Sequence, residues 1–324
     1  MKDSFKRTID YLRISITDRC NLRCIYCMPA SEKPGKARQI LSYEEILTIV
    51  HVAVTLGVRK VRITGGEPLA RHGVVSFITR LAALEGLEDI SLTTNGILLE
   101  NYAEDLFNAG LKRVNVSLDS LRASRYKEIT RGGSLSQAMR GIKKAAHVGL
   151  KPVKINNVSI RGFNDDEIKA FARLTLTTPY HVRFIEFMPV GSDTGWTADN
   201  YVPAHEIKAQ VEQIALLEPV KLRRNGPARY YRFAGAQGVI GFISPITHHF
   251  CDDCNRLRMT CDGKIRPCLF SSHMIDLQKA FTHTNPEKEI ERLLIKAITE
   301  KPRGHQILEG SRSQSPLTMA EIGG

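Results

Sequence analysis

The sequence predicts an α/β fold: a partial, open (βα)6 TIM-like barrel followed by a smaller C-terminal α+β domain. Three observations predict it. Residues 12 to 187 alternate short β-branched runs with helical patterns, the signature of βαβ units and a parallel sheet. Six such units fall short of the eight that close a barrel. Beyond Pro189 this rhythm fades and runs suited to antiparallel pairing replace it. On this reading residues 1–200 form the barrel domain and 201–300 the C-terminal domain, while 301–324 form a flexible tail ending in Gly-Gly.

The predicted strands are Leu12–Thr17, Arg59–Thr64, Ile90–Thr94, Arg113–Leu118, Pro152–Val158 and Val182–Phe187. The first helix opens at Ser42, with Glu45 three residues on, a capping box for free backbone N–H groups. It buries Ile46, Leu47 and Val50 at helical spacing and stops at Gly57. Further helices are expected near Val74–Leu84, Glu100–Ala109, Leu135–Val148 and Asp166–Leu174. In the C-terminal part the pattern predicts a helix near His205–Ile214, strands at Arg229–Phe233 and Val239–Ser244, and a hairpin from Arg256 to Leu269. Asp262-Gly263 marks its turn. Asn285 and Pro286 begin a last helix through Ile298.

Unusual residues gather at the carboxyl ends of the six barrel strands. They include Gly65-Gly66-Glu67-Pro68 after the second, Thr94-Asn95-Gly96 after the third, Ser117-Leu118-Asp119-Ser120 at the fourth and Glu186-Phe187-Met188-Pro189 at the sixth. In parallel β/α folds ligands bind at that face. A single such loop is only a turn; six together predict one shared site.

Composition narrows the function. The chain has 324 residues, 42% hydrophobic and 25% charged, which excludes global disorder. Its formal net charge of +12 calls for an anionic partner: a nucleic acid, a membrane surface or a nucleotide. The first twenty residues lack an apolar signal core, and the longest apolar stretch, around Ile46 to Val58, is broken by His51. A cytoplasmic protein is expected.

The seven cysteines are clustered. Cys20, Cys24 and Cys27 form a C-x3-C-x2-C loop after the first strand, and Cys251, Cys254, Cys261 and Cys268 lie near the end. Structural zinc usually takes four ligands, and no nearby His or Cys completes the first triad. Three thiolates on a 4Fe–4S cubane leave one iron open to a ligand that is not protein. For the second group, a two-residue hairpin loop at Asp262-Gly263 would pair position 261 with 264 and 257 with 268. Cys268 would then return beside Cys254, with Cys261 at the tip about 13 Å away at the usual strand rise. Zinc bound by Cys251, Cys254, Cys268 and His248 or His249 is the alternative on spacing alone.

CxxxCxxC after the first strand of a βα barrel, with GGEP after the second, resembles the radical S-adenosylmethionine superfamily. The second triad, C-x2-C-x13-C, narrows the resemblance to the GTP 3′,8-cyclase family of molybdenum cofactor biosynthesis. That similarity spans about residue 10 to 324 and includes CNLRCIYCMP, RITGGEPL, SLTTNG, NVSLDS, KINNV, RFIEFMP, CDDCNRLR, DGKIRPCLF and the terminal Gly323-Gly324.

The resemblance implies two 4Fe–4S clusters, held by Cys20, Cys24 and Cys27 and by Cys251, Cys254 and Cys268. It implies that Tyr26, Gly66, Ser117 and Met188 contact S-adenosyl-L-methionine, and that Arg13, Arg62, Thr93, Lys154, Arg256, Leu257 and Arg258 bind GTP. Arg13, Arg256, Arg258, Gly323 and Gly324 would also serve catalysis. Guanidinium forks and an ammonium suit triphosphate oxygens. The implied partners are a low-potential electron donor of the flavodoxin or ferredoxin type and a downstream cyclic pyranopterin monophosphate synthase. The implied assembly is a monomer or homodimer engaging neither membrane nor nucleic acid. Two other readings stay open from sequence: a radical S-adenosylmethionine peptide- or RNA-modifying enzyme with an auxiliary cluster, and a zinc-stabilised nucleic-acid-binding protein.

Overall fold

The computed structural model describes residues 1–28, 39–191, 195–222, 226–305 and 319–322. The six barrel strands are β1 (Tyr11–Ser15), β2 (Lys60–Thr64), β3 (Asp89–Thr94), β4 (Arg113–Ser117), β5 (Lys154–Ser159) and β6 (His181–Glu186). They lie side by side and parallel, in chain order. Alternation splits each strand between two faces. Leu12 and Ile14, Val61 and Ile63, Val114 and Val116, and Val182 and Phe184 are buried in one continuous core, while Arg13, Arg62, Thr93 and Arg183 line the barrel cavity.

Helices cover the apolar face. α1 (Tyr43–Thr55) starts with the expected capping box: Ser42 N–H donates to Glu45 Oε2 at 2.7 Å and Glu45 N–H to Ser42 Oγ at 3.1 Å. α2 (Val74–Ala82), α3 (Leu99–Asn108), α4 (Ala123–Thr130), α5 (Leu135–His147) and α6 (Ile168–Thr177) follow. α4 was not among the predicted helices. Only Tyr126, Ile129 and Thr130 of its eight residues are buried, too short a stripe to stand out as periodicity.

The C-terminal part contributes α7 (Ala204–Glu212), β7 (Leu217–Val220), β8 (Ala228–Phe233), β9 (Val239–Ile243), β10 (Arg256–Met259), β11 (Lys264–Arg266), β12 (Ile275–Asp276), α8 (Pro286–Thr299) and α9 (Met319–Ile322). The expected antiparallel pairs are present, β8 with β9 and β10 with β11. Each of these hairpins also lends a strand to the barrel: β9 runs parallel beside β6, and β10 parallel beside β1. The result is one twelve-stranded sheet with eight parallel strands at its centre, left open because β9 and β10 pair outward rather than with each other. The chain from 244 to 255 therefore travels from one edge of the barrel to the other, carrying Cys251 and Cys254 with it.

The hairpin register differs by one residue from the expected pairing. Arg258 faces Arg266 and Met259 faces Ile265. Thr260 N–H bonds the Lys264 carbonyl and Gly263 N–H the Thr260 carbonyl, both at 3.0 Å, so the loop has three residues, Cys261-Asp262-Gly263. Gly263 sits at φ +84°, the left-handed position that closes such a loop. The Lys264 N–H is also taken by Thr260 Oγ1 at 3.0 Å. Cys261 is buried at the tip, outside the cavity that the other six cysteines line. No helix among the described residues is long and apolar enough to cross a membrane.

Candidate active site

The first cysteine loop is held from two sides. α4 presents its last carbonyls to it: Arg23 N–H bonds Thr130 O at 3.1 Å and Ile25 N–H bonds Ile129 O at 3.0 Å. The loop after β2 holds the other side, with Gly66 N–H on Thr17 O at 2.7 Å and Glu67 N–H on Arg19 O at 2.8 Å. The double glycine is required by this approach. A Cβ at Gly66 would stand 2.3 Å from Arg19 O, and one at Gly65 2.5 Å from Thr17 O. Gly66→Ala is thus expected to push the cysteine loop outward and cost about 2 kcal/mol, as overpacking does. A thermal melt and an iron assay after reconstitution check it; wild-type values of both would refute it.

Buried carboxylates bind the strand-end loops to one another. Glu67 is fully buried and accepts from Leu69 N–H (3.0 Å), Thr94 Oγ1 (2.8 Å) and Asn95 N–H (2.8 Å), joining the loops after β2 and β3. Burial still holds its carboxyl up at about 7. Glu186 accepts from Ala204 N–H and Ile246 N–H, both at 2.9 Å. Asp119 accepts from Val158 N–H at 2.8 Å and from Tyr26 Oη at 2.5 Å, which aims the Tyr26 ring into the site. Asn95 donates Nδ2 to Asn21 Oδ1 at 2.7 Å and lies 3.8 Å from Cys20 Sγ.

The two cysteine triads differ in electrostatics. In the first, burial pushes the Cys20 thiol to about 11 and Cys27 to about 12, and Cys24 is also raised, by burial and then by Cys27. Metal binding there must displace protons. In the second, burial also acts to raise Cys254, but Arg256 and Lys301 outweigh it and bring that thiol down to about 6. Cys251, Cys254 and Cys268 line the same cavity as Cys20, Cys24 and Cys27.

The same cavity holds a row of cations that strand register creates. Arg258 of β10 faces Arg13 of β1, which faces Arg62 of β2. Side chains opposite in register share a face, one strand spacing apart. Burial first, and then repulsion from Arg258 and Arg62, lowers the Arg13 guanidinium. Burial likewise lowers Arg258 to about 9 and Arg62 to about 10. Arg13 Nε, Arg258 Nη1 and Thr93 Oγ1 are buried without a hydrogen-bond partner among the described residues. Buried, mutually repelling donors of this kind call for a polyanion.

The expected site residues distribute as follows. Tyr26, Gly66, Ser117 and Met188 all line the cavity, as do Arg13, Arg62, Thr93, Arg256 and Arg258. Lys154 opens β5 outside the lining; burial, then Arg183, Arg113 and Arg62, bring its ammonium down to about 6. Leu257 is 2% exposed and faces the apolar core, opposite to its neighbours Arg256 and Arg258. Gly323 and Gly324 lie outside the described residues. The sequence reading did not single out Arg183, which lines the cavity with Nε on Asn156 Oδ1 (2.8 Å) and Nη2 on Asn115 Oδ1 (2.7 Å). Its signal was the alternation of β6, which puts a lone arginine on the polar face.

The donor sets fit two clusters. Each triad offers three thiols to the cavity. Three thiols match a multi-iron cluster that leaves one iron open.

Comparison with known proteins agrees. Residues 14–175 match the model of the radical SAM superfamily, and residues 180–307 the model described as Molybdenum Cofactor Synthesis C. The chain is 52% identical to the GTP 3′,8-cyclase of Thermodesulfovibrio yellowstonii and 50% identical to that of Alkaliphilus metalliredigens, covering all of both chains in each case. Among solved structures it is similar in fold to Streptococcus suis SuiB bound to S-adenosylmethionine. There the TM-score is 0.62 at 16% identity, covering 88% of this chain and 68% of that one. This chain belongs to the GTP 3′,8-cyclase family of the radical S-adenosylmethionine superfamily.

Proposed function

We propose that the chain converts GTP to (8S)-3′,8-cyclo-7,8-dihydroguanosine 5′-triphosphate, the first step of molybdenum cofactor biosynthesis, with two 4Fe–4S clusters and S-adenosyl-L-methionine as cofactors. The observation that carries this is a single cavity lined by both cysteine triads and by Arg13, Arg62, Arg256 and Arg258. When bound, the first cluster and S-adenosylmethionine supply one-electron cleavage and a carbon radical for hydrogen abstraction from the ribose. The protein's own part is to bind, align and exclude water. Cys20, Cys24 and Cys27 would hold the first cluster, and Tyr26, Gly66, Ser117 and Met188 would contact S-adenosylmethionine. Cys251, Cys254 and Cys268 would hold the second cluster, which would serve the guanine end of GTP. The row Arg258–Arg13–Arg62, with Thr93, would take the triphosphate, and Lys154 is proposed to join these GTP contacts.

The reading extends to a cytoplasmic monomer or homodimer, reduced by a flavodoxin- or ferredoxin-type donor and feeding a cyclic pyranopterin monophosphate synthase. Anaerobic incubation with GTP, S-adenosylmethionine and dithionite tests the chemistry. Production of 5′-deoxyadenosine with a cyclised nucleotide is expected; 5′-deoxyadenosine without change in GTP would refute the substrate assignment. The final Gly323-Gly324 is proposed to reach into the site, since glycine lets backbone pass where a side chain would not. Deleting both residues is expected to cut product formation at least tenfold while iron content stays at the wild-type level. Full activity would remove the tail from the mechanism.

A further inference from the structure

The wall of the second cysteine site is completed by the segment that follows α8. Lys301 is 3% exposed and lines the cavity. Its Nζ donates to the Arg256 carbonyl at 2.9 Å and the Pro267 carbonyl at 2.6 Å. The first acceptor lies two residues after Cys254 and the second directly precedes Cys268. One ammonium thus ties the two hairpin strands together at the level of their cysteines. The stretch expected to be a mobile tail from Lys301 is, over its first five residues, built into this wall. Arg7 Nη1 donates to the carbonyls of Cys251 and Arg303, and its Nη2 to that of Pro302, all at 2.7 Å. Asp3 anchors Arg7 from behind at 2.6 Å. His305 Nε2 bonds Pro245 O at 2.8 Å, and its ring lies 4.6 Å from that of Phe270.

The charge of Lys301 needs an explanation beyond these bonds. Carbonyls accept its protons without neutralising it, and an uncompensated buried ion is costly. Among the described residues no carboxylate pairs with it; burial pulls its ammonium below the ordinary lysine value, and the groups that oppose that pull are Cys254 and Cys268. The third N–H of the ammonium is left over.

We propose that Lys301 is a positioning residue of the second cluster: it fixes the spacing of Cys254 and Cys268 and is the buried counter-charge to the cluster they hold. Groups that orient ligands tune both affinity and reactivity, and nearby charge and hydrogen bonds set the potential of an iron–sulfur cluster. A cation in the wall favours the reduced, more negative cluster. The inference rests on the reading that these three cysteines carry a cluster, not on the identity of the nucleotide.

The test is a spectroscopically monitored redox titration of the full chain, reconstituted anaerobically without nucleotide. Lys301→Met should retain about eight irons, as two cubanes require. Its second cluster should titrate at a more negative potential than in the wild type, with the first unmoved. Retention of both clusters at unchanged potentials would overturn the proposal. If the methionine variant loses the second cluster, Lys301→Arg decides. A cluster recovered at the wild-type potential supports the counter-charge; loss in both variants would reduce Lys301 to packing of the hairpin and overturn it. About four irons in the wild type itself would instead undo the two-cluster reading.

Discussion

Cys24→Ala is expected to abolish reductive cleavage of S-adenosylmethionine, with 5′-deoxyadenosine falling to the background of dithionite alone. Cys24 is the middle cysteine of the first triad and organises its loop: the Cys27 and Met28 N–H groups bond its carbonyl at 2.9 and 3.1 Å. Alanine keeps that backbone turn and removes only the sulfur. Two thiols cannot retain a cubane whose remaining irons have no protein donor, since no other Cys or His lies in the loop. The second triad should still load, so iron is expected to fall by about half. Chromatography for 5′-deoxyadenosine and an iron assay read both effects. Persistent cleavage would remove Cys24 from the cluster.

Cys268→Ala should separate the two halves of the reaction. S-adenosylmethionine cleavage stays possible because the first triad is untouched, but cyclised nucleotide should fall at least a hundredfold. The cysteine is delivered by a hairpin whose register and three-residue loop bring it back toward Cys254, and Lys301 clamps the carbonyl just before it. On the proposed reading, removing the thiol would leave the second cluster with two ligands and would weaken the hold on the nucleotide. The comparison to make is product per 5′-deoxyadenosine formed in variant and wild type. An unchanged ratio would place Cys268 outside the substrate site.

Much of the site was legible because its chemistry is local. The C-x3-C-x2-C loop, the GGEP turn and the strand-end polar residues each sit within a few residues of a strand whose position the βα rhythm predicts. The capping box at Ser42 and the helix start at Asn285-Pro286 are formed as the sequence implies. The hairpin was harder. Asp-Gly favours a two-residue turn by propensity, but Thr260 caps the Lys264 N–H and draws the loop to three residues. That shifts every cross-strand partner by one, and a one-residue shift decides which faces meet.

Other features have no local signature. The three arginines 13, 62 and 258 belong to distant segments, and only the parallel pairing of β10 with β1 and β1 with β2 sets them in a row. Arg7 and Lys301, nearly three hundred residues apart, meet at the second triad through backbone carbonyls, which every residue possesses and no motif records.

By itself, then, the sequence determined the barrel's repeating unit, the two sets of thiols and the chemistry those thiols invite. Tertiary structure decided that β9 and β10 extend opposite edges of the barrel and that the chain between them crosses from one edge to the other. The physical reason is that a strand's unpaired edge offers the same N–H and C=O groups whatever its side chains. Which edge it joins depends on the whole sheet, and that choice brings the second triad to the cavity of the first.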